Sequence, residues 1–237
     1  MFCVFNLRKL RVPTALVLLF ALLTAIIVLR YEPAAQSAWR TDKNAPVLVI
    51  DAGHGGLDGG AVAESGMTES SVNLAIAQRL ELLAGLFGVN TVMTRKSEEL
   101  DYPDEAATTA AKKTWDQKAR VELINSVPGA VLVSIHQNRY PDSRPSGSQV
   151  LYAKTDGSEA LGKTMHELLC TSLCPENRRV AAPIADNIYL MRSVSCPAVL
   201  VECGFLSNPQ EAQLLSTDAY RTKLAMTILT ASLKFTA

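Results

Sequence analysis

Val47-Leu48-Val49-Ile50-Asp51-Ala52-Gly53-His54-Gly55-Gly56 is the stretch on which the fold turns. Its first half, Val47 to Asp51, is a short apolar run rich in β-branched residues, the composition of a strand. Its second half is a glycine-rich turn carrying a histidine, and glycine lets a backbone bend sharply and come close to a bound ion or substrate. Working outward, strand-like runs recur at Val89 to Thr94, Ala130 to Ile135, Gln149 to Ala153 and Ala198 to Glu202. Between the first two, Val72, Ile76, Leu80, Leu83 and Phe87 repeat at helical spacing and Gly88 supplies a stop, which predicts a crossover helix over Thr68 to Phe87. Further helices are predicted over Trp115 to Ser126, Ser158 to Leu173 and Tyr220 to Phe235. Asn208-Pro209-Gln210-Glu211 reads as an N-cap, a proline at the first helical position and a first-turn acid. Lys96 to Thr114 is polar, has no period and predicts a long loop. Strands alternating with helices in this way predict an α/β fold: a single domain with a central, mostly parallel sheet flanked by helices.

Two of the three histidines fall just past strand ends, His54 in the glycine turn and His136 directly after Ile135. Sheets of this kind hold their ligands beyond the carboxyl ends of the strands. Glu69, in Gly66-Met67-Thr68-Glu69, opens the crossover helix, and a right-handed crossover returns that helix start to the same rim. Two imidazoles and one carboxylate suit Zn²⁺ with its fourth position left to water. Glu202 ends the last strand candidate at that rim. An unpaired acid there is costly unless used, and its proton affinity can be tuned for transfer of a proton from water to a leaving group. Asp51 and Asp58 are candidates to orient His54. Cys203, beside Glu202, has no spare histidine to activate it if both sheet histidines bind metal. His166 lies off the apolar stripe of Leu161, Met165, Leu168 and Leu169 and is expected to face solvent.

The 237 residues carry 23 Lys+Arg and 23 Asp+Glu, so the net charge is zero and there is no basic surplus of the kind a nucleic-acid binder needs. The balance is uneven along the chain. Val12 to Leu29 is an uncharged run of 18 residues, preceded by Arg8, Lys9 and Arg11 and closed by Arg30. It predicts a hydrophobic signal or anchor segment within residues 1–37, with the remainder exported. The segment is either retained as a membrane anchor or cleaved after Ser37, leaving a secreted protein. Residues 38–45 read as a linker and 46–237 as the catalytic domain. Four of the bases and one of the acids lie in residues 1–37, which leaves 19 and 22, a net charge of −3, outside. Cys170, Cys174, Cys196 and Cys203 fall in that exported part, where at most one bridge is expected.

Five strings now stand in order: Val49-Ile50-Asp51-Ala52-Gly53-His54-Gly55-Gly56, Gly66-Met67-Thr68-Glu69, Thr94-Arg95, Ser134-Ile135-His136-Gln137-Asn138, and Val201-Glu202-Cys203-Gly204-Phe205-Leu206-Ser207-Asn208. Together they resemble the motifs of the zinc-dependent N-acetylmuramoyl-L-alanine amidases of the amidase-3 type, over about residues 46 to 235. The resemblance implies an α/β fold, cleavage of the amide between the lactyl group of muramic acid and L-alanine in peptidoglycan, and a Zn²⁺ cofactor. It implies His54, Glu69 and His136 as zinc ligands, Glu202 as the catalytic acid/base and Asn138 as a substrate contact near the metal. A narrower resemblance, carried by Asp186-Asn187-Ile188-Tyr189-Leu190-Met191 and Pro197 to Phe205, is to spore-cortex amidases of the CwlD type. In that group the enzyme strips peptides so that a muramic acid deacetylase can form muramic-δ-lactam. Related amidases often have Arg-Gly where this chain has Arg178-Arg179-Val180, and division amidases place an autoinhibitory helix in the region of Lys96 to Thr114. The expected partners are peptidoglycan and the deacetylase, with a membrane-associated or lipoprotein activator left open and no nucleic acid. The rival readings are a general cell-wall autolysin, which would usually carry wall-binding repeats, and a non-catalytic peptidoglycan-binding domain, which has no use for Glu202.

Overall fold

A computed structural model describes residues 45–236. In chain order the elements are β1 (Val47–Ala52), α1 (Glu69–Leu86), β2 (Thr91–Met93), α2 (Thr109–Ser126), β3 (Ala130–Asn138), β4 (Gln149–Tyr152), α3 (Ser158–Leu173), β5 (Ala182–Pro183), α4 (Tyr189–Ser193), β6 (Ala198–Phe205), α5 (Pro209–Leu215) and α6 (Asp218–Thr236). The strands form one sheet in the order β2-β1-β3-β6-β4-β5. The first four are parallel to one another; β4 runs antiparallel to β6, and β5 parallel to β4. The predicted α/β class and mostly parallel sheet are what the chain adopts.

Alternation along the strands sorts their side chains between two helical layers. On one face Val49, Leu132 and Leu200 pack with Val121 and Ile124 of α2 and Leu190 and Met191 of α4. The opposite face is covered by α1, α3 and α6, with α6 packed on both of the others. Counting on by two from Val49, Leu132 and Leu200 reaches Asp51, Ser134, His136 and Glu202. Four polar residues thus come off the sheet towards the α2 and α4 layer, and His136 and Glu202 are paired neighbours on β3 and β6.

The structure departs from the sequence reading in a few places. The stretch Lys96 to Thr114 is not all loop: α2 starts at Thr109, where the Thr108 side chain accepts the Ala111 N–H at 3.1 Å and caps the helix. What precedes it folds over the glycine turn, with the Gly56 N–H donating to the Glu98 carbonyl at 2.7 Å. β3 and β6 run on past Ile135 and Glu202, so both carry their chemistry within strands. Two elements were not foreseen, the two-residue β5 and the five-residue α4. Asn208 caps α5 as expected, accepting from the N–H groups of Gln210 and Glu211. Among the described residues no helix is long and apolar enough to cross a membrane, and the apolar run 12–29 lies outside them.

Candidate metal centre

His54 is placed by an unusual backbone. It is the single non-glycine residue among those described with positive φ, at 61°. The conformation is held from beneath by two buried arginines. Arg95 donates to the carbonyls of Ala52, Gly53 and Ser70, and Arg120, reaching up from α2, donates to those of Ala52 and His54. Arg120 also donates to Asp51 at 2.7 Å, while Thr94 and Ser134 donate to the same carboxylate. Burial alone would raise the Asp51 carboxyl; Arg120 and the two hydroxyls outweigh it and hold the pKa down at about 2. Asp51, one of two acids considered as a support for His54, therefore acts through Arg120 and the loop backbone. Asp58 acts directly, with Oδ2 3.1 Å from His54 Nδ1.

Glu69 is the first residue of α1 and is buried. Its Oε1 lies 3.2 Å from His54 Nε2 and 3.0 Å from His136 Nδ1, and also accepts the Gln137 N–H at 3.1 Å. Its other oxygen accepts the Ala61 N–H at 2.9 Å. The backbone makes room for this convergence at two glycines. A β-carbon on Gly53 would strike the His136 ring, and one on Gly60, which has φ of +66°, would lie 2.6 Å from Glu69 Oε2. Burial opposes ionisation of Glu69, but the two imidazoles override it and drive its pKa well below the usual carboxylate range. Burial likewise pulls the His54 imidazole down, and Glu69 and Asp58 more than compensate, so it is raised.

His54, Glu69 and His136 offer one ligand atom each, all within 4.8 Å of one another. Two nitrogens and a carboxylate oxygen gathered this closely, one imidazole fixed from behind by Asp58, fit a Zn²⁺ ion in donor type and number. The same hollow, about 310 Å³, is lined by Glu202, by Lys113, Gln117 and Arg120 of α2, and by Tyr189 of α4. Among the described residues Glu202 Oε2 has no hydrogen-bond partner. Burial, reinforced by nearby Glu69 and opposed by the imidazoles, lifts this carboxyl to about 7. A carboxylate at that value beside three residues able to hold a metal can take up and return a proton near neutrality.

The structure thus brings together His54, Glu69, His136 and Glu202. Asn138 is half-buried at the end of β3, two residues beyond His136, with its carbonyl accepting the Leu206 N–H at 2.9 Å. Cys203 is fully buried and its thiol is pushed up by burial, so it has no nucleophilic character. All four cysteines of the described region are free. The expectation for His166 is overturned. It is buried, its Nε2 lies 2.7 Å from the Arg179 carbonyl, and the segment after α3 folds across that helix face. Arg179 itself stacks on Phe205 and donates to the Ser146 and Gly147 carbonyls, so it braces the end of β6. Sequence reasoning missed Arg120 and Lys113 as parts of the site. The available signal was a cation at position 120 directly beside Val121 and one helical turn before Ile124, on the face α2 buries.

The sequence profile of the family described as N-acetylmuramoyl-L-alanine amidase matches residues 48–233. The chain is 32% identical over 221 residues to the germination-specific N-acetylmuramoyl-L-alanine amidase of Bacillus subtilis, covering 92% of each. It is 28% identical over 184 residues to the amidase LytC of the same organism, covering 76% of this chain and 34% of LytC. Among solved structures, the CwlD amidase from Clostridioides difficile in complex with the GerS lipoprotein superposes with a TM-score of 0.76 at 35% identity, over 80% of this chain and 98% of that one. AmiC2 of Nostoc punctiforme gives 0.68 at 27% identity, over 80% and 96%.

Proposed function

The chain belongs to the amidase-3 family of N-acetylmuramoyl-L-alanine amidases and is an enzyme of that class acting on peptidoglycan; from this we propose that it is a zinc amidase of the spore cortex. The observation that carries the reading is the meeting of His54, Glu69 and His136 with the partnerless carboxylate of Glu202 at one rim of the sheet. His54, Glu69 and His136 would hold the ion. When bound, zinc supplies Lewis acidity towards the amide carbonyl and the attacking water. Glu202 accepts the proton of that water as its oxygen adds to the carbonyl carbon, then delivers it to the nitrogen of L-alanine as the carbon–nitrogen bond breaks. The products are the lactyl carboxylate and a peptide with a free amino end. Asp58 fixes the His54 ring through Nδ1, and Asn138, two residues beyond His136 on β3, would meet the substrate.

The spore role is supported by coverage: the chain spans 92% of the germination-specific relative but 34% of LytC. On this reading it acts before a muramic acid deacetylase, outside the membrane, in a domain spanning residues 46–237 that follows an export segment within residues 1–37. A match covering 92% of the chain takes in part of the sequence ahead of residue 45, in keeping with a shared leader. The CwlD structure contains a lipoprotein, GerS, and a lipoprotein partner is proposed here too.

The test is mass spectrometry of purified peptidoglycan treated with the zinc-loaded chain. The expected products are muramic acid free of peptide and stems beginning with a free L-alanine amine, both abolished by a strong chelator. Scission of another bond would overturn the reaction, and chelator-resistant activity would overturn the metal. Loss of muramic-δ-lactam from spores lacking the gene would support the cortex role, and its persistence would remove it.

A further inference from the structure

A second depression is walled by segments that continue the ones carrying the metal centre. It is an open groove of about 1180 Å³ between the loop 62–65, the loop that follows β3, and α5. Ala61, next to its first wall, donates to Glu69 Oε2, and Arg139 and Leu206 follow His136 and Glu202 by three and four residues. Its lining is mixed, with small apolar surfaces such as Ala63 and Ala212, hydroxyls from Ser65 and Ser207, one cation, Arg139, and one anion, Glu64.

Substrate bound across the rim must send its sugar to one side of the scissile amide and its peptide to the other, and the distribution of charge decides which. Peptidoglycan stems continue from L-alanine into an isoglutamyl residue with a free α-carboxylate, then usually a residue with a side-chain amine. In the hollow beside α2 every cation is already engaged: Lys113 with Asp58, and Arg120 with Asp51 and Asp116. In the groove the exposed guanidinium of Arg139 has no hydrogen-bond or ion-pair partner among the described residues, and neither does the Glu64 carboxylate of the loop 62–65. A carboxylate entering the hollow would share cations that already neutralise Asp58, Asp51 and Asp116; one entering the groove would have Arg139 to itself.

Resting on the amidase reading above, we infer that the groove holds the peptide side of the substrate, with Arg139 binding the α-carboxylate of the second stem residue, and that the hollow beside α2 holds the sugar. Arg139 is thereby a substrate-binding residue that makes the enzyme sensitive to amidation of the stem.

The test uses the full zinc-loaded chain and two lots of soluble, uncrosslinked glycan strands with tripeptide stems, differing only in whether that α-carboxyl is free or amidated. The native chain should cut the free-acid strands with kcat/KM about tenfold above the amidated ones, the scale of one charge-assisted hydrogen bond. Arg139→Gln should bring the ratio near one by slowing the free-acid strands alone, and Arg139→Lys should retain part of it, with zinc content equal throughout. A native ratio near one, or a ratio unchanged in Arg139→Gln, overturns the assignment and leaves the amidase reading standing. A native chain that cuts neither lot overturns both.

Discussion

Glu202 is the residue whose cost of burial is met by nothing but use. Its neighbours on the sheet are His136 across β3 and Gln149 across β4, and neither donates to Oε2. Glu202→Gln should therefore keep the fold and the zinc content while lowering kcat by about 10²- to 10⁴-fold, the range of a lost acid/base, as read by amide release together with metal analysis. An active Glu202→Gln would move the proton transfer elsewhere. Asp51 shows the opposite economy, with all its partners in place. Its pKa falls from 3.8 to about 2 on folding, so its contribution is fully present above about pH 4 and drains away as pH falls towards 2. That difference is worth about 2 kcal/mol. Denaturant titrations should show Asp51→Asn less stable than the native chain at neutrality but flatter between pH 4 and 2; parallel acid limbs would contradict this. At this scale the sequence was informative where chemistry sits at strand ends, which is why His54, His136 and Glu202 could be named. It was silent where a side chain acts through a distant backbone. The pattern around position 120 marks a cation on a buried face but not that its guanidinium reaches the carbonyl of His54, and nothing near His166 announces that Arg179 will fold back over it.

Elements were legible in proportion to their length and period. The 18 residues of α1 and the 16 of α3 present enough turns for an apolar stripe to declare itself, whereas two-residue β5 and five-residue α4 are shorter than either period needs. α2 is the instructive case, since its first third, Thr109 to Thr114, has a loop-like sequence. Its buried residues are only Arg120, Val121 and Ile124, so its amino-terminal turns carry no stripe and are fixed by the Thr108 cap and by polar contacts. The helix is moored by a guanidinium. Removing it leaves Asp51 charged and buried, along with carbonyls of the His54 turn, and breaking one side of such a pair costs about 3–5 kcal/mol. Arg120→Met should lose stability on that scale and speed amide exchange throughout α2. It should also weaken zinc binding, measured by competition with a chromophoric chelator, because the His54 turn loses its tether. Asp51→Asn in the same chain should recover part of the stability but not the zinc affinity. A single variant that unfolds normally and binds zinc like the native chain would show that α2 does not position the centre.

Across the whole molecule, charge separates what works from what places it. The net charge of zero averages a cationic, apolar stretch of residues 1–37 against a remainder of net −3, and every residue of the candidate metal centre lies in that remainder. Peptidoglycan with acidic stems is itself anionic, so a body of this sign gains no general attraction to it. Long-range electrostatics cannot hold the enzyme at its substrate. A local cation in the groove can still read a carboxylate, since a contact at Arg139 depends on the field within a few ångströms rather than on the net charge. Any retention would then come from the proposed membrane segment or a partner, and the two differ in what releases them. If residues 12–29 stay in the bilayer, the full chain should sediment with membranes, resist extraction by high salt and come off in detergent, because apolar burial is indifferent to screening. A fragment beginning at residue 45 should be soluble and should cut dissolved glycan strands as fast as the full chain, since no residue assigned to the centre is missing from it. It should fall behind only on intact wall, where residence near the substrate sets the rate. Extraction of the full chain by salt alone would assign its retention to a charged partner surface instead, and a fragment inactive on dissolved strands would show that residues 1–44 contribute to the site.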